Sequence, residues 1–344
     1  MTGGASDWLG SAIAALELGE PCSLVTVAAA AGSVPRPPGS KMLVRADSIA
    51  GSIGGGHLEL AAIARARGRL GAPAGAELAE FALGPALGQC CGGRVTMLLE
   101  TLTPESLAWL RAWRGASGEQ LLVTSLSPFA KTLLARREAA ARPPLAPALA
   151  ALSEGTVSAV LLKPAPTAPA SLVERVEDPW QDLFLFGAGH VGRALVQVLA
   201  PLPFRVRWID ARSEMFPGDP PANVEIEVSD MPRHDVAAAP GGACFLVMTH
   251  SHALDFEICD HVLKRGDFAF LGLIGSASKR ASFLRRLAAR GHGEAALARL
   301  TCPIGLPILA GKEPGTIAVC AAAQLLALRE RSQAAASLEL RSAR

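Results

Sequence analysis

Residues 182–212 read DLFLFGAGHVGRALVQVLAPLPFRVRWIDAR. Leu183–Phe186 is a short, wholly apolar run, as expected of a strand buried on both faces of a parallel sheet. Gly187-Ala188-Gly189-His190-Val191-Gly192 follows at once, and Val191, Ala194, Leu195, Val198 and Leu199 then recur at helical spacing. A second strand, Phe204–Ile209, ends in Asp210, 23 residues after Gly187.

Strand, glycine turn, helix, second strand and terminal acid at this distance predict a Rossmann-type fold. The three glycines differ in what they permit. Gly187 allows the tight turn, Gly189 lets a pyrophosphate approach the backbone, and Gly192 lets helix and strand pack closely. The helix N-terminus offers N–H groups to the anion, and Asp210 is placed to accept hydrogen bonds from a ribose. Arg212, two residues beyond, is either a contact for a phosphorylated ribose or a solvated cation.

Working outward, Val224–Val228, Ala243–Thr249 and Phe268–Ile274 read as further strands, with helices around 253–265 and 277–290. That alternation is the pattern of a doubly wound sheet. The strand running into Met248-Thr249-His250-Ser251-His252 brings His250 and His252 to the carboxyl edge of the sheet, on one side of the strand if it continues. Gly275-Ser276-Ala277-Ser278-Lys279-Arg280 is another strand–glycine–helix junction, and Lys279 in the first turn opposes the helix dipole, which invites an anion. Cys259 and His261 fall on nearly opposite sides of a helix, which makes a four-ligand metal set with the two histidines awkward and an anion- or nucleotide-facing pair the favoured reading. A last helix runs from about Pro314 to Arg329, followed by a tail.

Upstream, a first amphipathic helix precedes a strand at Cys22–Ala30 and a stiff loop, Gly32-Ser33-Val34-Pro35-Arg36-Pro37-Pro38-Gly39-Ser40-Lys41. Three prolines and two glycines fix its course, and Arg36 and Lys41 are expected to project two cations from it: an anion-binding loop, or a rigid connection with surface charge. Gly51-Ser52-Ile53-Gly54-Gly55-Gly56-His57-Leu58-Glu59 then opens a helix from His57 to about Leu70. Four glycines in six residues suit a backbone that comes close to a ligand, or a tight turn. Gly88-Gln89-Cys90-Cys91-Gly92-Gly93 lies between strands at Glu77–Leu83 and Arg94–Leu99. Its adjacent thiols read as coincidence, a reactive thiol, or a soft-metal or sulfur-handling site. Further elements are a helix at Pro104–Arg114, a strand at Gln120–Leu126, a proline-broken helical stretch over 135–155, and strands at Val157–Leu162 and Leu172–Glu177. No internal repeat stands out.

The 344 residues suffice for two domains. The domains are placed at 1–132 and 179–330, with 133–178 as linker and connecting strands and 331–344 as a tail. A net charge of +2 gives no footprint for nucleic acid or an anionic membrane. No apolar run reaches the roughly 20 residues of a membrane span. The N-terminus lacks a basic region and does not read as a signal peptide. Seven scattered cysteines suit a reducing cytoplasm.

Taken together, GSVPRPPGSKMLV (32–44), GSIGGGHLE (51–59), GQCCGG (88–93), LFLFGAGHVGRAL (183–195), MTHSHALD (248–255), GLIGSASKR (272–280) and CPIGLP with GKEP (302–314) resemble the XdhC/CoxI family of xanthine dehydrogenase accessory proteins. The resemblance implies an N-terminal mixed α/β XdhC/CoxI-type domain and a C-terminal Rossmann-like domain with a doubly wound parallel sheet. It further implies a chaperone without turnover, which binds molybdenum cofactor, supports its sulfuration with a cysteine desulfurase and hands it to apo-xanthine dehydrogenase. Some relatives carry cysteine where this chain has His57, so no thiol role transfers there. On this expectation Arg36, Lys41, Gly54, Gly55, Gly56 and His57 hold anionic groups, and Cys90 or Cys91 reaches the molybdenum. Gly187, Gly189, Gly192, Asp210, His250, His252 and Lys279 face a nucleotide, NAD(P) or the nucleotide form of the cofactor. The alternative is an NAD(P)-dependent oxidoreductase with His250 or His252 as acid/base. A homodimer is expected on base rates.

Overall fold

The computed structural model describes residues 7–83, 93–114, 116–153, 157–164, 169–177, 180–306 and 311–342, with the backbone alone at 117–119 and 332–342. The chain divides into two compact units, Thr2–Asp178 and Pro179–Arg331.

The N-terminal unit holds α1 (Trp8–Glu17), β1 (Cys22–Ala31), β2 (Lys41–Val44), β3 (Ile49–Gly51), α2 (Gly56–Arg67), β4 (Gly75–Ala82) and β5 (Arg94–Leu102). It continues with α3 (Leu107–Trp113), β6 (Ser117–Leu126), β7 (Phe129–Ala135), α4 (Arg136–Ala140), α5 (Ala146–Ser153), β8 (Ala159–Leu162) and β9 (Ser171–Glu177). Two antiparallel sheets result, ordered β3-β2-β1-β5-β4 and β7-β6-β9-β8. The stretch 133–178, expected as linker and connecting strands, supplies α4, α5, β8 and β9 to this unit.

An internal duplication underlies the architecture, against the expectation of no repeat. The order helix, hairpin, helix, hairpin occurs twice, and both sheets share one strand order apart from β3. The ladders match residue by residue. Thr26 opposes Lys41 and Leu24 opposes Glu100 in the first copy; Thr124 opposes Lys131 and Leu122 opposes Glu174 in the second. Leu24-Val25-Thr26 recurs as Leu122-Val123-Thr124, and Leu98-Leu99-Glu100 as Leu172-Val173-Glu174.

The copies interlock through buried charge. Lys41 Nζ donates to Thr26 Oγ1 at 2.9 Å and to Glu174 Oε1 at 2.5 Å, and stands 5.5 and 5.3 Å from the rings of Trp8 and Trp113. Reciprocally, Lys131 Nζ donates to Thr124 Oγ1 at 2.9 Å, lies 2.7 Å from Glu100 Oε1 and sits 4.5 Å from the Trp109 ring. Leu58, Ala62 and Ala66 of α2 pack on the first sheet with Val25, Met42 and Met97. Ala148, Leu149 and Leu152 of α5 pack on the second with Leu121 and Val173.

The C-terminal unit holds β10 (Gln181–Phe186), α6 (His190–Leu199), β11 (Phe204–Asp210), β12 (Val224–Val228), α7 (Pro232–Ala238) and β13 (Cys244–Val247). It ends with α8 (His252–Arg265), β14 (Phe270–Leu273), α9 (Ala277–Ala289), α10 (Glu294–Ala298), β15 (Leu300–Thr301) and α11 (Pro314–Ser342), of which the part up to Arg331 belongs to this unit. The strands form one parallel sheet, ordered β12-β11-β10-β13-β14-β15, which is the doubly wound Rossmann order. Leu195, Leu199, Ala318 and Leu325 of α6 and α11 cover one face. Val236, Phe256, Val262, Phe283 and Leu287 of α7, α8 and α9 cover the other. Among the described residues no helix is long and apolar enough to cross a membrane.

Candidate functional site

In the N-terminal unit three sequence motifs meet at one end of the first copy. Gly54 has φ +126°, and a Cβ there would stand 2.5 Å from Pro35 Cγ and 3.6 Å from Arg36 Cγ. The glycine loop is therefore laid against the proline loop, in a backbone conformation that a side chain would strain. A Cβ on Gly93 would come within 2.3 Å of Ser33 O, so the residue that ends the cysteine motif abuts the same proline loop. Leu83 N donates to Gly93 O at 2.8 Å, which closes the base of the segment between them. Cys90 and Cys91 lie in that segment, outside the described residues.

All three loops belong to the first copy. Residues 32–40 join β1 to β2, whereas Ser127 and Pro128 alone join β6 to β7. The second copy thus does without the proline loop, while its β8–β9 connection, residues 163–170, is close in length to the 83–93 segment of the first.

Lys41 is not part of this cluster. The sequence expectation of a projecting cation fails because β2 begins at Lys41, so that its side chain turns inward to Glu174, with 4% of it exposed. Arg36 and His57 are exposed beside the loops. The glycine-loop amides are partly satisfied from within: Ile53 N and Gly55 N donate to Glu59 Oε2 at 3.0 and 3.1 Å, Ser52 Oγ donates to it at 2.7 Å, and Gly54 N donates to Ser52 Oγ. Burial raises the Glu59 pKa, but these donors outweigh it and hold the carboxyl below its usual range. A carboxylate of the chain thus occupies the anion-binding concavity at the start of α2. Nothing lies within 4 Å of a Cβ built on Gly55, so the backbone is open to approach there.

In the C-terminal unit the glycine turn has the expected geometry. A Cβ on Gly187 (φ +116°) would meet Met248 O at 2.4 Å, and one on Gly192 would meet Gly187 O at 2.2 Å. One on Gly189 would meet nothing within 4 Å. Close packing at the first and third glycines and open space over the second is the arrangement that admits a phosphate to α6.

Asp210 is placed at the end of β11, but its acceptors are taken. Oδ1 receives Arg212 N at 3.0 Å and Arg212 Nε at 2.9 Å; Oδ2 receives Ala188 N at 2.8 Å and Arg212 Nη2 at 2.9 Å. A carboxylate offers about four lone-pair sites, so none is left for a ribose diol. Burial raises the Asp210 pKa, yet Arg212 and the Ala188 amide bring it down to about 2.

The strand expected to carry both histidines stops at Val247, so His250 and His252 do not share a strand face. His252 starts α8, exposed, and His250 lines a crevice with Asp210, Asp235 and Thr249. Lys279 has its anion inside the protein. Its Nζ donates to Asp255 Oδ2 at 2.6 Å and to Ile274 O at 2.9 Å, while Asp255 Oδ1 accepts from Thr249 N and Oγ1. This buried network pins the β13–α8 and β14–α9 loops together. Asp235, buried in the first turn of α7 (Pro232–Ala238), lines the same crevice as His250 and is a residue the sequence reading does not single out. Among the described residues no group of three or more His, Cys, Asp or Glu could hold a metal.

Two family models match the chain: the XdhC and CoxI family over residues 15–82 and the XdhC Rossmann domain over 183–325. The crystal structure of a xanthine dehydrogenase from Bacillus halodurans has the same fold, with a TM-score of 0.68 and 20% identity over 93% of this chain and 96% of that one. The uncharacterized protein YqeB of Escherichia coli (strain K12) is 31% identical over 152 residues, which are 44% of this chain and 28% of that protein. The match thus spans less than a third of the length of that curated relative. With both halves matched in their expected order, the chain belongs to the XdhC and CoxI family.

Proposed function

We propose that this protein is an accessory chaperone that holds molybdenum cofactor, supports its sulfuration by a cysteine desulfurase and passes it to a xanthine dehydrogenase. The observation that carries the proposal is the convergence of the proline loop, the glycine loop and the base of the cysteine segment on the first copy alone. Family membership supports an accessory role.

The residues present suit such a ligand. Arg36 and His57 offer exposed polar groups for its phosphate and pterin, and the open backbone at Gly55 admits close approach. Gly54 and Gly56 shape that approach, and Cys90 or Cys91 would supply soft ligation to molybdenum. Lys41 and Lys279 act through structure, since each is neutralised by a buried carboxylate. When bound, the cofactor supplies the redox chemistry of the client enzyme; the chain's part is to hold it and release it. Sulfuration of the client in the presence of the Cys90→Ala/Cys91→Ala variant tests the thiol role, and its loss is the expected result.

The Rossmann unit has a place for a nucleotide over Gly187, Gly189 and Gly192. An NAD(P)-dependent oxidoreductase using His250 or His252 is the weaker reading, because the Asp210 acceptors that would hold the nicotinamide dinucleotide's ribose are filled by Arg212 and Ala188. Nicotinamide-dependent turnover by the purified chain would overturn the chaperone reading. The protein is expected to act in the cytoplasm, as a homodimer.

A further inference from the structure

The duplication leaves one sheet edge covered in the first copy and open in the second. Counted from the two lysines, Met42, Leu43 and Val44 of β2 correspond to Thr132, Leu133 and Leu134 of β7. β3 pairs with the first set, Met42 with Gly51, Leu43 with Ala50 and Val44 with Ile49, and all four residues of β2 are buried. Among the described residues β7 pairs with β6 alone; Thr132 is exposed and Leu133 half-buried. Alternate residues of β7 therefore turn unpaired N–H and C=O groups outward.

A groove of about 510 Å³ lies between α3 and β7, lined in part by Ala108, Trp109 and Ala112 of the helix and by Phe129, Lys131 and Leu133 of the strand. In the first copy the equivalent side is filled: Ala50 of β3 is buried in one cluster with Leu43 and with Leu9 and Ile13 of α1. The repeat thus shows what closes such an edge, which is one more antiparallel strand. Exposed edges are ordinarily blunted by charge, but the one charged residue of β7, Lys131, turns inward to Glu100.

We propose that the β7 edge is closed by β7 of a second copy, paired antiparallel about a two-fold axis at Thr132. Thr132 is the middle of the seven residues FAKTLLA (129–135), so this register pairs the whole strand. The strand is self-complementary in it. Thr132 meets the partner's Thr132, and threonine pairs stabilise antiparallel ladders. Lys131 stands opposite the partner's Leu133, so no like charges meet, whereas an axis at Lys131 would oppose two lysines. Ala130 faces the partner's Leu134 and Phe129 its Ala135, a small residue against each large one. One patch thereby serves both sides, as two-fold symmetry requires. The proposal rests on the expectation of a homodimer, gives that dimer its interface, and is independent of the cofactor reading.

Sedimentation equilibrium of the full chain and of its Thr132→Lys variant tests it. Thr132 is exposed, so the variant should keep the parent's unfolding midpoint, while two lysines opposed at the axis disfavour the pairing. The expected result is a dimeric parent and a variant of half its mass at the same micromolar concentration. A second variant reads the interface even if the lysine variant folds poorly. Thr132→Cys, made in the Cys90→Ala/Cys91→Ala background, should be joined to a second copy by a short bis-maleimide, and that background without the new cysteine should not. A dimeric parent whose folded Thr132→Lys variant stays dimeric, or whose Thr132→Cys variant does not cross-link, would overturn the β7 interface and leave the homodimer standing. A monomeric parent would overturn both.

Discussion

Lys41 of β2 and Glu174 of β9 form a buried ion pair between the two sheets of the N-terminal unit, and Lys131 and Glu100 repeat it in the opposite direction. In each copy the lysine opposes a threonine of its own sheet and reaches a glutamate of the other. The duplicated halves are thus held in one relative arrangement by two reciprocal charges. Breaking one partner leaves the other uncompensated in the interior. Glu174→Leu is expected to destabilise the N-terminal unit by about 3–5 kcal/mol, whereas Lys41→Met/Glu174→Leu together stay close to the parent. Urea unfolding followed by tryptophan fluorescence checks this, since Trp8 and Trp113 flank Lys41. Equal losses in the single and double variants would contradict it.

At the glycine loop, Glu59 serves as an internal anion. Glu59→Ala should free the Ile53 and Gly55 amides and raise their hydrogen-exchange rates, while amides in the middle of α2 stay protected. Unchanged exchange at Ile53 and Gly55 would show that another group holds the loop.

Gly187→Ala places a methyl group against Met248 O and forces a side chain into positive φ. A loss of roughly 1–3 kcal/mol is expected from the backbone strain alone. Gly189→Ala meets nothing within 4 Å and should leave stability nearly unchanged, so any loss it causes in nucleotide binding reports the ligand. Differential scanning calorimetry of the two variants provides the comparison.

Acid sensitivity has a traceable source in Asp260. Burial raises its pKa, but Lys264, His292 and Arg290 bring it down to about 2. Because the folded pKa is depressed, the stabilisation is complete above the unfolded value near 4 and is lost as pH falls toward 2. Asp260→Asn should therefore flatten the decline of stability between about pH 4 and pH 2. A decline of unchanged steepness would assign it to other carboxylates.

The Rossmann half is legible in the sequence because its signals are local. Gly187, Gly192 and Asp210 act through neighbours in one strand–helix–strand unit, and the structure places them as that unit requires. The N-terminal half hides its logic in long-range pairs. Lys41 finds its carboxylate 133 residues away, and nothing near it in the chain marks it as buried. The duplication escapes because loops break its period: 14 residues separate Thr26 from Lys41 and 6 separate Thr124 from Lys131. The histidines mislead for a related reason, since β13 ends at Val247 and the loop after it sends His250 and His252 apart. The last helix reaches Ser342 rather than Arg329 because Ala, Leu, Glu and Gln continue past that point without a breaker.

Whether the loops that converge on the first copy hold molybdenum cofactor is decided by anaerobic titration of the purified full chain with that cofactor. The Cys90→Ala/Cys91→Ala variant is titrated beside it, with NADH as a control. Saturable binding that weakens in the variant, with NADH left unconsumed, is the expected result. Absence of cofactor binding, or NADH consumed by the chain alone, would contradict the chaperone role.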